Sequence, residues 1–386
     1  GIHCGIRKNR TKRDLALILS SVPASAAAVY TTNLVKGAPL EVTKKHLADG
    51  KARAVICNSG NANTCNADGI EIAEETCELL AKELGIAAED VIVASTGVIG
   101  QRMSIEPFKT GIPPLCAALG KNSEDVAEAI MTTDTRLKEV AVEFTAGGKT
   151  CKLGGIAEGS GMRHPNMATM LVFITTDCAI SPEMLQKALS ADVQNTFNMI
   201  SVDGDTSTND MCLALANGMA GNPLIEWKDE DYSAFLAALE ELCRQLARSI
   251  AGDGEGASKL VTCRMTGARS EESAERLAKA VVGSSLVKAA MFGSDANWGR
   301  VLCAMGYSKA PFRPEHVDVT FQSQAGSVPV CRQGDGLPFD EDAAKRILSE
   351  KEVVILVDLH EGDEAAECWG CDLTYDYVKI NGDYRT

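Results

Sequence analysis

The sequence predicts an α/β protein, on three observations. Strand and helix signals alternate from one end of the chain to the other. The strand signals are short apolar runs closed by Gly, Ser, Asn or Thr. The helix signals are apolar residues three and four apart with charged residues opposite. At 386 residues, and roughly 100–200 residues per domain, two folded units fit.

Residues 54–57 and 91–94 read as buried strands running into turns. Between them Ala73, Cys77, Leu80 and Leu84 lie on one helical face, and Gly85 supplies the stop. Ser181 and Pro182 are an N-cap and a first-turn proline, opening a helix to about residue 198. Phe235, Leu239, Leu242, Leu246 and Ile250 form the apolar face of another helix, which ends at Gly252-Asp253-Gly254-Glu255-Gly256. Beyond it come a helix over 271–282, strands near 316–321 and 353–359, and a terminal strand over 372–380. A domain boundary is expected near 260–285, giving a main α/β unit of about 1–262 and a smaller C-terminal α/β unit of about 263–386.

Apolar residues make up 45% and charged residues 24%, the balance of a globular chain with a real core. The net charge of −15 argues against a nucleic-acid partner, because phosphate binding needs clustered Lys and Arg. Arg7, Lys8, Arg10, Lys12 and Arg13 are interleaved with polar residues and soon meet Asp14, so they read as a solvated turn. No apolar run reaches the ~18 residues that span a bilayer. The short apolar stretch 15–19 is too brief for a secretory leader. A chain opening at Gly1 is expected to have lost a few residues, and a cytoplasmic location is expected. Fourteen cysteines are scattered along the sequence, and Cys368 and Cys371 are the one close pair. Structural zinc would want a second pair or histidines nearby, and only His360 is near, so buried reduced thiols and no metal are expected.

Three stretches have the composition of a site. Ser95-Thr96-Gly97-Val98-Ile99-Gly100 leaves a strand and can present backbone N–H groups to an anion or an oxyanion, though many such turns are only turns. Gly159-Ser160-Gly161 and the residues that follow lead to Thr169, at the mouth of an apolar strand; a nucleophile suits that position, and so does a simple capping threonine. In Gly252-Asp253-Gly254-Glu255-Gly256, Glu255 can meet an ammonium or stay solvated. Asp203, Asp205 and Asp210 have a hard-cation flavour but miss the EF-hand register at the closing glutamate. None of the five histidines has a Ser or Cys partner at a known triad spacing.

Asn166-Met167-Ala168-Thr169-Met170-Leu171 closely resembles a signature of the ornithine acetyltransferase family, the bifunctional glutamate N-acetyltransferases of arginine biosynthesis. Ser95-Thr96-Gly97, Met131-Thr132-Thr133-Asp134-Thr135, Gly159-Ser160-Gly161-Met162, the run from Val202 to Asp210, Asp253-Gly254-Glu255-Gly256-Ala257, Asn297-Trp298-Gly299-Arg300 and the run from Val378 to Thr386 resemble further signatures, in family order. The resemblance implies a layered α/β sandwich of the self-processing N-terminal-nucleophile type with a smaller C-terminal α/β domain. It implies scission between Ala168 and Thr169, giving an α chain (1–168) and a β chain (169–386) that assemble as an α2β2 heterotetramer. The Thr169 hydroxyl would attack the preceding carbonyl, and the α-amine so freed, titrating near about 7.7–8.0, can then take the hydroxyl proton.

The implied reaction is ping-pong. N2-acetylornithine acetylates Thr169 and ornithine leaves; glutamate then takes the acetyl group. No cofactor is implied, with acetyl-CoA left open as a co-substrate. Thr96 and Gly97 would form the oxyanion hole, and Thr132, Thr169, Glu255, Asn381 and the terminal Thr386 would bind substrate, the chain end reaching the site from a packed strand. One substrate-binding position departs from the family: Glu158 stands where a lysine is usual. Arg163, at a position usually apolar, either replaces that cation or the catalyst is impaired. A related self-processing aminopeptidase or amidase, with water as acyl acceptor, and a non-enzymatic subunit are the competing readings.

Overall fold

The structure, a computed structural model, describes residues 1–162 and 170–383. Its first sheet contains β1 (Leu15–Tyr30), β2 (Lys51–Asn58), β3 (Val91–Ser95), β4 (Lys138–Ala146), β5 (Lys149–Glu158), β6 (Leu171–Thr176) and β8 (Met211–Ala216), in the order β3-β2-β1-β8-β6-β5-β4. The second contains β7 (Ile200–Ser201), β9 (Leu260–Ala268), β10 (Asp318–Ser323), β11 (Gly326–Arg332), β12 (Asp335–Gly336), β13 (Glu352–Asp358) and β14 (Glu364–Cys371), in the order β12-β11-β10-β13-β9-β14-β7. Both sheets mix parallel and antiparallel pairs.

The long strand β1 makes the first sheet double over. Its register against β2 slips between Leu19 and Ala24, the kind of irregularity that bends a strand. Alternation then sorts its side chains. Ala16, Ala26 and Ala28 meet Val55, Cys57, Ile92, Ala94, Leu171, Phe173, Leu213 and Leu215 in one inner core. Leu15 and Leu17 face outward under α1 (Ala38–His46), α2 (Gly69–Leu84) and α3 (Glu106–Ala117). Ala27 and Val29 face outward under α5 (Pro182–Asn195) and α6 (Glu230–Gly252). The result is helix, sheet, sheet, helix, with α4 (Ser123–Ile130) packed against strands of both halves. This is the layered α/β sandwich that the sequence led us to expect.

Helix α6 packs on β4 and β5 on one side and on β9 and β14 on the other, joining the two sheets. The remaining helices are α7 (Glu271–Gly283), α8 (Ser285–Phe292), α9 (Trp298–Gly306), α10 (Glu341–Leu348) and α11 (Tyr375–Asp383). The expected helix ends are present: Gly85 adopts a left-handed φ of 66° at the end of α2, and the Ser181 hydroxyl accepts from Met184 N–H at 3.3 Å at the start of α5.

Two local readings are corrected. Residues 375–383 are the helix α11, and no strand runs through 372–380. Both sides of β14 are already paired, by β9 and β7, so no ladder was open beside it for a further strand. The 7–14 segment is only partly solvated: Asp14 is buried and accepts the N–H groups of Cys4 (2.7 Å), Gly5 (3.2 Å) and Arg7 (2.9 Å). Arg7 in turn donates to the carbonyls of Ser59 (2.8 Å) and Met131.

All fourteen cysteines are free, and most are buried. Cys368 and Cys371 lie three apart on β14, hence on opposite faces, so the close pair in sequence is not a facing pair of thiols. Among the described residues no helix is long and apolar enough to cross a membrane.

Asp192 on α5 is a buried carboxylate with no cation against it among the described residues; its Oδ2 accepts from the Thr196 hydroxyl at 3.2 Å. Burial pushes its carboxyl up to about 6. The folded state therefore binds an extra proton between the unfolded value near 3.8 and about 6, and stability falls as pH rises through that window. Asp192→Asn is expected to stabilise the protein by about 1–3 kcal/mol at pH 7. The gain should fade below pH 5, and thermal melts at the two pH values check it.

Candidate active site

The end of β3, the end of β5, the start of β6 and the loops 131–135, 202–210 and 252–256 converge on a cavity of about 130 Å³. Thr96 and Gly97 form one wall. The Thr96 N–H is consumed by the Asn58 carbonyl at 2.9 Å, so what Thr96 offers is its hydroxyl. Gly97 has φ of 119°, and a Cβ there would lie 2.7 Å from the Gly60 carbonyl carbon and 2.9 Å from its oxygen. Only glycine fits such a backbone with a neighbour this close. The Thr96 hydroxyl and the Gly97 N–H have no partner among the described residues, and both residues line the cavity, so two donors are available to it.

Asn209 fixes this wall. Its Nδ2 donates to the carbonyls of Ala62 (2.6 Å) and Ser95 (2.9 Å), and its Oδ1 accepts the hydroxyls of Thr64 and Thr208, each at 2.6 Å. The amide is saturated, which holds the β3 exit against the 62–64 loop. Gly97→Ala is expected to displace the donor and lower kcat by ~10²–10³, the usual consequence of losing one oxyanion donor. Steady-state kinetics on folded protein check this, with KM moving much less than kcat.

The opposite wall is acidic. Glu158 ends β5, is 2% exposed, and accepts the Thr132 hydroxyl at 3.4 Å. Glu255 is clamped: Thr133 donates to Oε1 at 2.7 Å, Asn381 donates to Oε2 at 2.7 Å, and its own N–H donates to the Ser160 carbonyl at 2.9 Å. A Cβ on Gly161 would lie 2.5 Å from the Glu255 carboxylate, so that glycine is what lets the segment lie on it. Tyr377 and Asn381, four apart on α11, both line the cavity. The Tyr377 hydroxyl donates to Asp203 Oδ2 at 3.4 Å; burial, and then the charges of Asp203, Glu255 and Asp205, push it above the usual tyrosine range. Asp203 also accepts the Met162 N–H at 2.5 Å. Among the described residues no group of three His, Cys, Asp or Glu is placed to hold a metal ion.

Behind this wall lies a buried ionic knot. Lys138 Nζ sits 2.5 Å from Asp134 Oδ1 and 2.6 Å from Asp253 Oδ2. Asp134 also accepts the N–H groups of Gly159 (2.7 Å) and Thr132 (3.0 Å), and Asp253 accepts the Thr135 N–H (3.1 Å). Burial alone would raise the Asp134 carboxyl; the Lys138 charge and these donors hold it net below its ordinary value.

The structure thus brings Thr96, Gly97, Thr132, Glu158, Glu255 and Asn381 around one cavity. Ala168, Thr169, Arg163 and Thr386 lie outside the described residues. Leu171, two positions after Thr169 in the chain, lines the cavity as the first residue of β6. The sequence reading gave no role to Asn209, Tyr377, or the Asp134–Lys138–Asp253 knot. The four-residue spacings of Asp134 with Lys138 and of Tyr377 with Asn381 were the available hints. Chemically, the arrangement can hold an ammonium at Glu255 while two donors accept charge on a carbonyl oxygen.

A family profile described as the ArgJ family matches residues 1–386. The arginine biosynthesis bifunctional protein ArgJ of Symbiobacterium thermophilum is 53% identical over 377 residues, 97% of this chain and 93% of that protein. The protein of the same name from Thermotoga neapolitana is 48% identical over 389 residues, 100% of this chain and 98% of that one. A crystal structure of the arginine biosynthesis bifunctional protein ArgJ from Bacillus halodurans aligns with a TM-score of 0.52 and 44% identity, covering 54% of this chain and 97% of the solved one.

Proposed function

The chain belongs to the ArgJ family, the ornithine acetyltransferases of arginine biosynthesis, and from that premise we propose that it moves an acetyl group from N2-acetylornithine to glutamate through an ester on Thr169. Processing comes first. The Thr169 hydroxyl attacks the Ala168 carbonyl, the peptide C–N bond breaks, and water hydrolyses the resulting ester. This frees a chain of residues 1–168 and a chain that starts at Thr169, assembled two and two. The Bacillus halodurans comparison supports this step, since 54% of this chain spans 97% of that one: the solved chain is about half as long, as the longer product would be.

In the first half-reaction the freed amine of Thr169 takes the hydroxyl proton, the oxygen attacks the acetyl carbonyl of N2-acetylornithine, and ornithine departs. The Thr96 hydroxyl and the Gly97 N–H stabilise the oxyanion, and Glu255 holds the donor's ammonium. In the second, glutamate's neutral amine attacks the ester, giving N-acetylglutamate. Acetyl-CoA, where used, acylates the same oxygen.

One observation carries the reading: two open donors and a clamped carboxylate flank the cavity at the mouth of the strand that Thr169 precedes. Incubation with N2-acetylornithine, with and without glutamate, tests it. Sustained ornithine release that requires glutamate supports the transferase; equal release without glutamate makes water the acceptor and the protein a hydrolase.

A further inference from the structure

Three separated segments meet at Glu255. Thr133 lies in the loop after α4, Ser160 two residues past the end of β5, and Glu255 in the loop after α6. The Thr133 hydroxyl is 2.6 Å from the Ser160 hydroxyl and 2.7 Å from Glu255 Oε1. A hydroxyl has one hydrogen, and a carboxylate offers only acceptors. The hydrogen of Thr133 therefore goes to Glu255 and that of Ser160 to Thr133, so both point toward the carboxylate. A main-chain bond closes the ring, the Glu255 N–H donating to the Ser160 carbonyl at 2.9 Å. Thr133, Glu255 and Asn381 line the cavity, whereas Ser160 is 1% exposed and is not among its lining residues. Each oxygen of Glu255 has one fixed donor, Thr133 on Oε1 and Asn381 on Oε2, and keeps acceptor capacity for a cation.

We infer that Ser160 and Thr133 are positioning residues, a hydroxyl relay that orients Glu255 for the charged end of the acetyl donor, with Ser160 acting only through Thr133. The inference rests on the reading above in which Glu255 holds the donor's ammonium. In N2-acetylornithine that ammonium is the terminal one, because the other nitrogen carries the acetyl group. Without the Thr133 hydroxyl, Oε1 loses its fixed partner and the carboxylate is free to turn about its last bond. An ammonium then meets it less often in the bonding orientation. A hydrogen bond to a charged group is worth roughly tenfold or more in an equilibrium constant. A donor without a terminal ammonium gains nothing from that orientation, so the loss is selective for charge.

The experiment measures kcat and KM for acetyl transfer to glutamate from N2-acetylornithine and from N-acetylnorvaline, the same skeleton without the terminal amine. The proteins are wild type, Thr133→Val, Thr133→Ser, Ser160→Ala and the double variant Thr133→Val with Ser160→Ala. The expected result is that the N2-acetylornithine-to-N-acetylnorvaline ratio of kcat/KM falls roughly tenfold in Thr133→Val, mostly through the KM for N2-acetylornithine. Thr133→Ser, which keeps the hydroxyl, should recover most of the ratio, and Ser160→Ala should lose about two- to threefold through weaker polarisation of Thr133. In the double variant Ser160→Ala should add no further loss, since the group it acts on is already gone. A ratio unchanged in Thr133→Val or in Ser160→Ala, two donors slowed alike, or a Ser160→Ala loss that persists in full beside Thr133→Val overturns the inference. Should Thr133→Val fail to fold, Thr133→Ala, which adds no atom beside the carboxylate, takes its place. A wild-type protein that uses neither donor overturns the acetyl-transfer reading itself, and one that uses both equally removes the ammonium from Glu255; both outcomes are seen in the wild type alone and so are distinct from a failure of the relay.

Discussion

Thr169→Ala is expected to leave the protein as one 40.9 kDa chain and to abolish acetyl transfer. On the proposed mechanism the substitution removes one oxygen with two duties. Without it nothing attacks the Ala168 carbonyl, so the chain stays whole and no terminal amine is freed. Nothing then remains to receive the acetyl group, and no other nucleophile with a base beside it is evident in the sequence. Loss of an activated hydroxyl nucleophile costs roughly 10⁴–10⁶ in rate, because the rest of its machinery is useless without it. Thr169→Ser, which keeps the oxygen, should still cut and still transfer at a reduced rate. A denaturing gel and an ornithine-release assay read both effects. A whole Thr169→Ala chain that transfers at wild-type speed would remove the nucleophile from that position.

Lys138→Met is expected to be the most destabilising single change behind the site. The Lys138 side chain has no solvent exposure, and it neutralises Asp134 and Asp253 at 2.5 and 2.6 Å. Methionine fills a similar volume but leaves two buried carboxylates without their cation, for which about 3–5 kcal/mol is typical. The knot ties the 131–135 segment to the end of β5 and to the 252–256 loop. Activity should therefore fall along with stability. The pH dependence follows from Asp134, whose carboxyl is held net below its ordinary value. Such a group contributes stability that is complete above the unfolded value, about pH 4, and is lost as pH falls further. In the variant burial acts on the Asp134 carboxyl without the opposing Lys138 charge, so the deficit against wild type should be largest at pH 7 and shrink toward pH 4. Denaturant melts at both pH values check this, and a deficit independent of pH would contradict it.

Much of the sandwich could be read from local chemistry. The Ser181 cap, the Gly85 stop and the apolar face of α6 are written within a few residues, and all three stand where they were expected. The long β1 was harder, because its second half is alanine-rich, which is poor strand material by propensity, and is held there by pairing with β8. The terminal segment misled: Val378 and Ile380 alternate like a strand, yet the β14 strand just before it is already paired on both sides, and a helix sets Tyr377 and Asn381 on the cavity instead. Of the residues that line the cavity, Thr96, Gly97 and Glu255 stood out by composition and again by motif resemblance, and Asn381 by resemblance alone. The knot did not stand out, since Lys138 and Asp253 are 115 residues apart and only the folded chain brings them together. The two-residue strands β7 and β12 carry no periodicity to detect.

Intact-mass spectrometry of the protein, before and after N2-acetylornithine is added without glutamate, bears most directly on the Thr169 chemistry. Two chains are predicted, one ending at Ala168 and one beginning at Thr169, with the second heavier by one acetyl group after the donor is added and restored when glutamate follows. A single uncut chain, or an acetyl group found on the fragment that ends at Ala168, would contradict it.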